Sequence, residues 1–143
     1  MRKKLLPDVN VWFAMTFDKH AHHASAKLWF DAIIDDTVCF YRLTQQGFLR
    51  LATNSTTAGA DVLTMDEAWQ KYDEYLRDPR VSFASETAGL EAQWRTYSRG
   101  STFSTNVWND AYLASFAKLG GFEVVSFDKG FSRYPGLTWT LLK

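Results

Sequence analysis

Apolar and polar positions alternate between two periods along this chain, and the switches between them predict its elements. Leu5-Leu6-Pro7-Asp8-Val9-Asn10-Val11 opens as a short strand ending near Asp8, because Pro7 cannot donate to a ladder. From His22 to Ile34 the spacing is helical, with Ala24, Leu28, Trp29, Ala32 and Ile33 on the expected inward face. Thr37-Val38-Cys39-Phe40-Tyr41 is β-branched and aromatic and reads as a second strand. Thr44 to Ala52 is predicted helical, with Thr44 as its N-cap. Thr64-Met65-Asp66-Glu67 has the capping-box spacing, and the helix it opens should turn Ala68, Trp69, Tyr72 and Leu76 inward. Asp78-Pro79-Arg80 ends that helix, and Val81 to Ala84 forms a brief strand. Two amphipathic helices follow, Thr87 to Ser98 and Thr105 to Leu119, the second stopped by Gly120-Gly121. Glu123 to Phe127 and Leu137 to Leu142 read as the last strands.

Strands alternating with helices predict an α/β layer fold with a mostly parallel sheet and right-handed crossovers. At 143 residues, with no repeat or linker, one domain over 1–143 is expected. A chain of this length buries roughly 68% of its unfolded surface, enough for a core without covalent staples. The 16 basic and 16 acidic residues cancel, which excludes a broadly cationic nucleic-acid coat and leaves room only for a local basic patch. The single cysteine, Cys39, excludes an internal disulfide and a cysteine-cluster zinc site. No apolar run approaches the ~20 residues of a membrane span, and Pro7-Asp8 interrupts the first apolar stretch too early for a signal peptide. A soluble, cytoplasmic protein is expected.

In open parallel sheets, sites gather at the carboxyl ends of strands. Asp8 and Asp128 stand at two such ends, and Asp110 lies on a helix whose apolar face is Ala111, Leu113, Ala114 and Ala117. Each acid also has an ordinary reading: Asp8 as a helix cap, Asp110 as an early-turn acid facing the helix dipole, and Asp128 as part of an Asp-Lys-Gly turn. Acids converging at strand ends favour a bound hard cation, and oxygen-rich sites suit magnesium or manganese and phosphodiester chemistry. His20, His22 and His23 are read as helix-start residues, because adjacent side chains do not share a helical face. Of the 6 Trp, Trp12 and Trp29 are expected to contribute to a groove for a partner helix or a dimer contact.

Four blocks in register carry a resemblance. Leu6-Pro7-Asp8-Val9-Asn10-Val11-Trp12, Thr44-Gln45-Gln46-Gly47-Phe48-Leu49-Arg50, Trp108-Asn109-Asp110-Ala111-Tyr112-Leu113-Ala114 and Ser126-Phe127-Asp128-Lys129-Gly130-Phe131 resemble PIN domains of the VapC toxin type over essentially the whole chain. The resemblance implies a three-layer α/β/α fold and a magnesium- or manganese-dependent ribonuclease. It also implies the toxin of a type II toxin–antitoxin pair, homodimeric and neutralised by a VapB-type antitoxin. Carried over residue by residue, it makes Asp8, Asp110 and Asp128 the metal-binding and catalytic acids. Asn10, Thr44, Asn106 and Asn109 become donors that orient them, Arg50 a partner of an active-site acid or a phosphate or else a helix-surface residue, and Lys129 a contact to the substrate backbone or else a solvated turn residue. The general family has a further Glu on the helix after the second strand, and Gly47 stands in its place. Three carboxylates and one well-bound metal are therefore expected, with any second metal bound weakly or only with RNA phosphate present. A non-catalytic PIN domain that binds RNA or a protein is the competing reading. Haloacid dehalogenase-type phosphotransferases are disfavoured by Asn10 where a second acid is needed, and receiver domains by the lack of an acidic pair at the first strand end.

Overall fold

In the computed structural model, which describes residues 2–100 and 104–143, five short strands form one parallel sheet in the order β3-β2-β1-β4-β5. They are β1 (Lys4–Pro7), β2 (Thr37–Phe40), β3 (Val81–Phe83), β4 (Glu123–Ser126) and β5 (Trp139–Leu141). Leu5 lies opposite Val38 on one side and Glu123 on the other, which makes β1 the centre of the sheet. Alternate residues of the same strands feed two separate cores, as a sheet covered on both faces requires. Leu5, Val38, Phe40 and Val125 pack under α1 (Val9–Thr16), α2 (His23–Asp31), α3 (Arg42–Ala52) and α5 (Met65–Arg77), the last preceded by a short helix, α4 (Ser55–Ala58). Leu6, Cys39, Tyr41 and Val124 pack under α6 (Leu90–Tyr97) and α7 (Val107–Gly120). The result is the three-layer α/β/α arrangement with helices on both faces.

Several elements sit where the pattern places them. Thr64 and Glu67 form the reciprocal capping box of α5: the Thr64 amide donates to Glu67 Oε1 at 2.9 Å and the Glu67 amide to Thr64 Oγ1 at 3.1 Å. Gly121, at φ 71°, takes the left-handed conformation that stops α7, and its amide closes on the Ala117 carbonyl.

Others differ for identifiable reasons. α2 ends at Asp31 because Arg80 reaches over from beyond α5, donating to the carbonyls of Phe30 and Ile33 while its guanidinium lies 4.1 Å over the Phe30 ring. The inward face of α2 is Ala26 and Phe30, so Leu28 is left 74% exposed and Ala24 and Ala32 face solvent. Trp69 likewise turns outward, while Ala68 and Tyr72 hold the buried face of α5. α3 begins two residues before Thr44, so Thr44 is its third residue and not its cap. The Thr44 hydroxyl accepts the Tyr41 amide and donates to the Tyr41 carbonyl, both at 3.1 Å. α6 starts at Leu90 and not Thr87, since Gly89 precedes it in a left-handed conformation. Trp12, expected in a partner groove, is fully buried and stacked 3.7 Å from Phe40 in the core. Trp29 is half-buried and lines a surface cleft with Ile33 and Ile34.

Candidate metal centre

β1 and β4 are neighbours in space although most of the chain separates them, so the crevice beyond their carboxyl ends is where the strand order reverses. Asp8 follows β1 directly. Its amide donates to the Val125 carbonyl of β4 at 2.8 Å, which ties the two strand ends together. Asp8 is both cap and site residue. Oδ1 accepts the Val9 amide at the start of α1, and Oδ2 accepts the hydroxyl of Ser126, the last residue of β4, at 3.1 Å.

Ser126, fully buried, is the hinge pin of this cluster. Its Oγ donates to Asp8 and receives the Asp128 amide at 3.0 Å and the Asn10 side-chain amide at 3.3 Å. Asp128 Oδ1 accepts the Gly130 amide at 2.8 Å, so the Asp-Lys-Gly segment is a turn and an aimed carboxylate at once. Lys129 stands exposed in it.

The third acid arrives from the opposite layer. Asp110 occupies the first turn of α7 and lines a small cavity of ≈ 90 Å³ with Asp8, Tyr41, Thr44, Gln46, Gly47, Arg50 and Asn109. Burial first, and then the charges of Asp8 and Asp128, push its carboxyl up to about 6, against a partial offset from Arg133. Asp8 is raised by burial and, more weakly, by Asp128, although the Val9 and Ser126 hydrogen bonds pull the other way. The three acids thus feel one another across a single crevice. Among the described residues, however, no three His, Cys, Asp or Glu are drawn together closely enough to enclose an ion. All the donors are hard carboxylate oxygens, with Asp8 and Asp128 held by hydrogen bonds, a set that fits magnesium or manganese and not a soft metal.

The sequence-predicted neighbours divide. Asn10, Thr44, Asn109 and Arg50 all reach this region: Asn10 through Ser126 and the Phe127 amide, the other three as lining residues. Asn106 is exposed at the N-terminus of α7. The histidines serve local structure: His23 Nδ1 lies 2.8 Å from the Ala14 carbonyl, His20 Nδ1 accepts the His22 amide, and His22 stacks 4.4 Å from Phe127.

Three residues escaped sequence reasoning. Ser126 opens the block that contains Asp128, but its place there gave it no role. Arg133, close enough to lower Asp110, sits in a short turn after Asp128 that carries no periodic signal. Tyr41 read as the end of an apolar strand. Its hydroxyl is buried with no hydrogen-bond partner among the described residues, and it lines the cavity beside Asp8 and Asp110.

Gly47 explains the missing fourth acid in steric terms. A Cβ at this position would meet Val9 Cγ2 at 3.0 Å, so α3 approaches α1 too closely for a side chain to enter without displacing Val9. Gln45 gives no substitute, being buried and bonded to Arg42. Gln46 lines the cavity with a neutral amide.

This fold and this crevice define a class. Residues 5–137 match the model of the PIN domain. Ribonuclease VapC41 of Mycobacterium tuberculosis is 44% identical over 143 residues, covering 96% of this chain and 98% of that protein. Ribonuclease VapC38 of the same organism is 30% identical over 87% of this chain and 85% of its own. The chain therefore belongs to the PIN-domain family, on its VapC ribonuclease branch. Among solved structures, VapBC2 of Rickettsia felis bound to a promoter DNA fragment matches with a TM-score of 0.71 at 14% identity, covering 98% of this chain and 99% of that one. The sarcin-ricin-loop-cleaving toxin VapC20 of M. tuberculosis matches at 0.65 and 20% identity, over 90% and 92%. At those identities both likenesses speak to the fold alone.

Proposed function

We propose that the protein is a magnesium- or manganese-dependent endoribonuclease, the toxin of a type II toxin–antitoxin pair held inactive by a VapB-type antitoxin. The observation that carries the chemistry is the convergence of Asp8, Asp110 and Asp128, from three different elements, on one crevice at the switch point of the sheet. A fold has no structural need to gather carboxylates that repel one another, and Asp110 is raised first by its burial and then by the charges of Asp8 and Asp128. Magnesium or manganese bound by these three acids would supply an acidified water and neutralise charge at the phosphate. The chain's own groups do the rest. Ser126 and the Val9 amide fix both oxygens of Asp8, and the Gly130 amide fixes Asp128. Arg50 and Arg133 supply cations at the crevice for the RNA backbone, with Lys129 on its rim. Tyr41, kept protonated by burial and by the adjacent acids, offers a hydroxyl donor inside the cavity.

Partner surfaces are available for an antitoxin or a second copy. Leu28 at 74% and Ile34 at 84% exposure leave apolar side chains in solvent along and just after α2. The VapBC structures from Rickettsia felis and from Haemophilus influenzae, both sharing this fold, contain a VapB with their VapC.

Purified, partner-free protein should cut total cellular RNA into discrete fragments with magnesium or manganese and not with chelator. Asp8→Asn, which keeps the side-chain volume, should abolish the fragments while leaving the circular dichroism unchanged. A folded protein that binds RNA but never cuts it, with either metal, would replace this reading with that of a non-catalytic PIN domain, the alternative to which Gly47 points.

A further inference from the structure

We propose that the cleft formed by Arg42, Leu43, Gln46, Trp94, Asn109 and Tyr112 is a subsite for one unpaired nucleobase of the RNA, on the nucleotide next to the scissile phosphate. The proposal rests on the ribonuclease reading above. The cleft shares Leu43, Gln46 and Asn109 with the cavity of the acids, so a chain whose phosphate meets Asp8 and Asp110 enters this second space within one nucleotide. At ≈ 260 Å³ it is smaller than the ~300–1,000 Å³ of a whole small-molecule site and suits a single ring system.

Its walls have the chemistry that single-stranded RNA recognition uses: aromatic rings, a guanidinium and side-chain amides. An aromatic run leads out from the acids. Tyr41 stacks 6.0 Å from Tyr112 at an interplanar angle of 11°, and Tyr112 meets Trp94 edge-on at 5.2 Å and 89°. These rings are already held in place. The Trp94 indole N–H donates to the Trp108 carbonyl at 3.1 Å, and the Tyr112 hydroxyl donates to Glu86. Arg42 is preset too, donating to Gln45 Oε1 at 2.6 Å and lying 4.8 Å over the Phe83 ring. It pairs with no carboxylate among the described residues, so its charge is open to a phosphate. Gln46 and Asn109 present amides that can meet a base edge.

An RNA base is favoured over a peptide segment because the cleft opens directly onto the crevice where a phosphodiester is cut, and because Arg42 complements a phosphate.

The test uses the full chain carrying Asp8→Asn, to prevent cleavage, and two fluorescein-labelled RNA hexamers, one normal and one with abasic riboses at every position. Anisotropy titrations should show the base-bearing hexamer binding about 5- to 150-fold more tightly, the equivalent of one stacked base. Trp94→Ala should erase that preference, and Trp94→Phe, which retains a ring and the packing of α6 on α7, should restore most of it. Equal affinity for the two hexamers overturns the proposal. So does a preference that survives Trp94→Ala, or a purified antitoxin segment that occupies the cleft while base discrimination stays absent. Cleavage of total RNA by the unsubstituted protein is run alongside. Metal-dependent cleavage without base discrimination removes the subsite and keeps the nuclease, whereas discrimination without cleavage overturns the nuclease and with it the placement beside a scissile phosphate, leaving a base-binding cleft.

Discussion

Asp110 shows what the site asks of a single residue. Its carboxyl titrates near 6 in the folded chain against about 3.9 when unfolded. An acid raised in this way binds more protons folded than unfolded, so stability falls as pH rises. The penalty is absent below about pH 4, grows through the interval, and is complete above about pH 6. Two units correspond to at most about 3 kcal/mol, and solvent screening at a partly exposed group lowers this to about 1–2 kcal/mol. Asp110→Asn should therefore raise the melting temperature in chelator at pH 7 and change it little at pH 4. Added magnesium should narrow the difference by stabilising only the protein that retains the acid. Equal melting curves for the two proteins at pH 7 would show that the acids do not strain the fold. Ser126 works in the opposite sense, as a support. Ser126→Ala leaves the Asp128 amide and the Asn10 amide without their shared acceptor, so about 1–3 kcal/mol of stability should go. Single-turnover cleavage should fall about 10- to 100-fold with RNA affinity nearly unchanged.

At the scale of elements, the approach of α3 to α1 decides how many acids the crevice holds. Gly47→Ala gains up to ~1 kcal/mol of helix propensity, yet its methyl would sit 3.0 Å from Val9 Cγ2. Val9 is packed against the core and has little room to give, so overpacking should win and the substitution should destabilise. In a Val9→Ala background the clash disappears and Gly47→Ala should stabilise. Urea denaturation of the four proteins should give a coupling of about 0.5–3 kcal/mol, and additive effects would mean that the helices are free to separate. This steric fact could not be read from the sequence, where Gly47 registers only as an absent acid. The elements themselves were largely legible, because capping chemistry and period are local: the Thr64–Glu67 box and the Gly121 stop lie where the pattern places them. The orientation of α2 was not legible. An arginine fifty residues downstream takes the Phe30 carbonyl near its end and the Ile33 carbonyl just beyond it, and both α2 faces carry apolar residues from which the sequence cannot choose.

For the whole molecule, a parallel sheet with β1 at its centre makes strand ends meaningful, and Asp8 and Asp128 could be singled out from sequence for that reason. Asp110 could be singled out because a charge on an otherwise apolar helix face asks for a partner. Tyr41 and Arg133 could not, since their importance comes from three-dimensional neighbours and not from spacing. The same global view bears on how RNA is held. With 16 basic and 16 acidic residues the molecule has no net attraction for a polyanion, and its crevice is itself acidic. Binding must then rest on the few cations around the crevice and its neighbouring cleft, namely Arg42, Arg50, Lys129 and Arg133. Four phosphate contacts on a single strand release counter-ions with a slope near −0.7 each, so the logarithm of affinity should fall against the logarithm of salt with a slope no steeper than about −3. Titrating Asp8→Asn protein with a single-stranded RNA across 50–300 mM potassium chloride, at fixed magnesium, measures it directly. Removing Arg42 should make the slope shallower by about 0.7. A slope of −6 or steeper would place the RNA across a far larger cationic surface than four residues can make, and the path of the substrate would have to run along a face of the molecule away from the carboxylates.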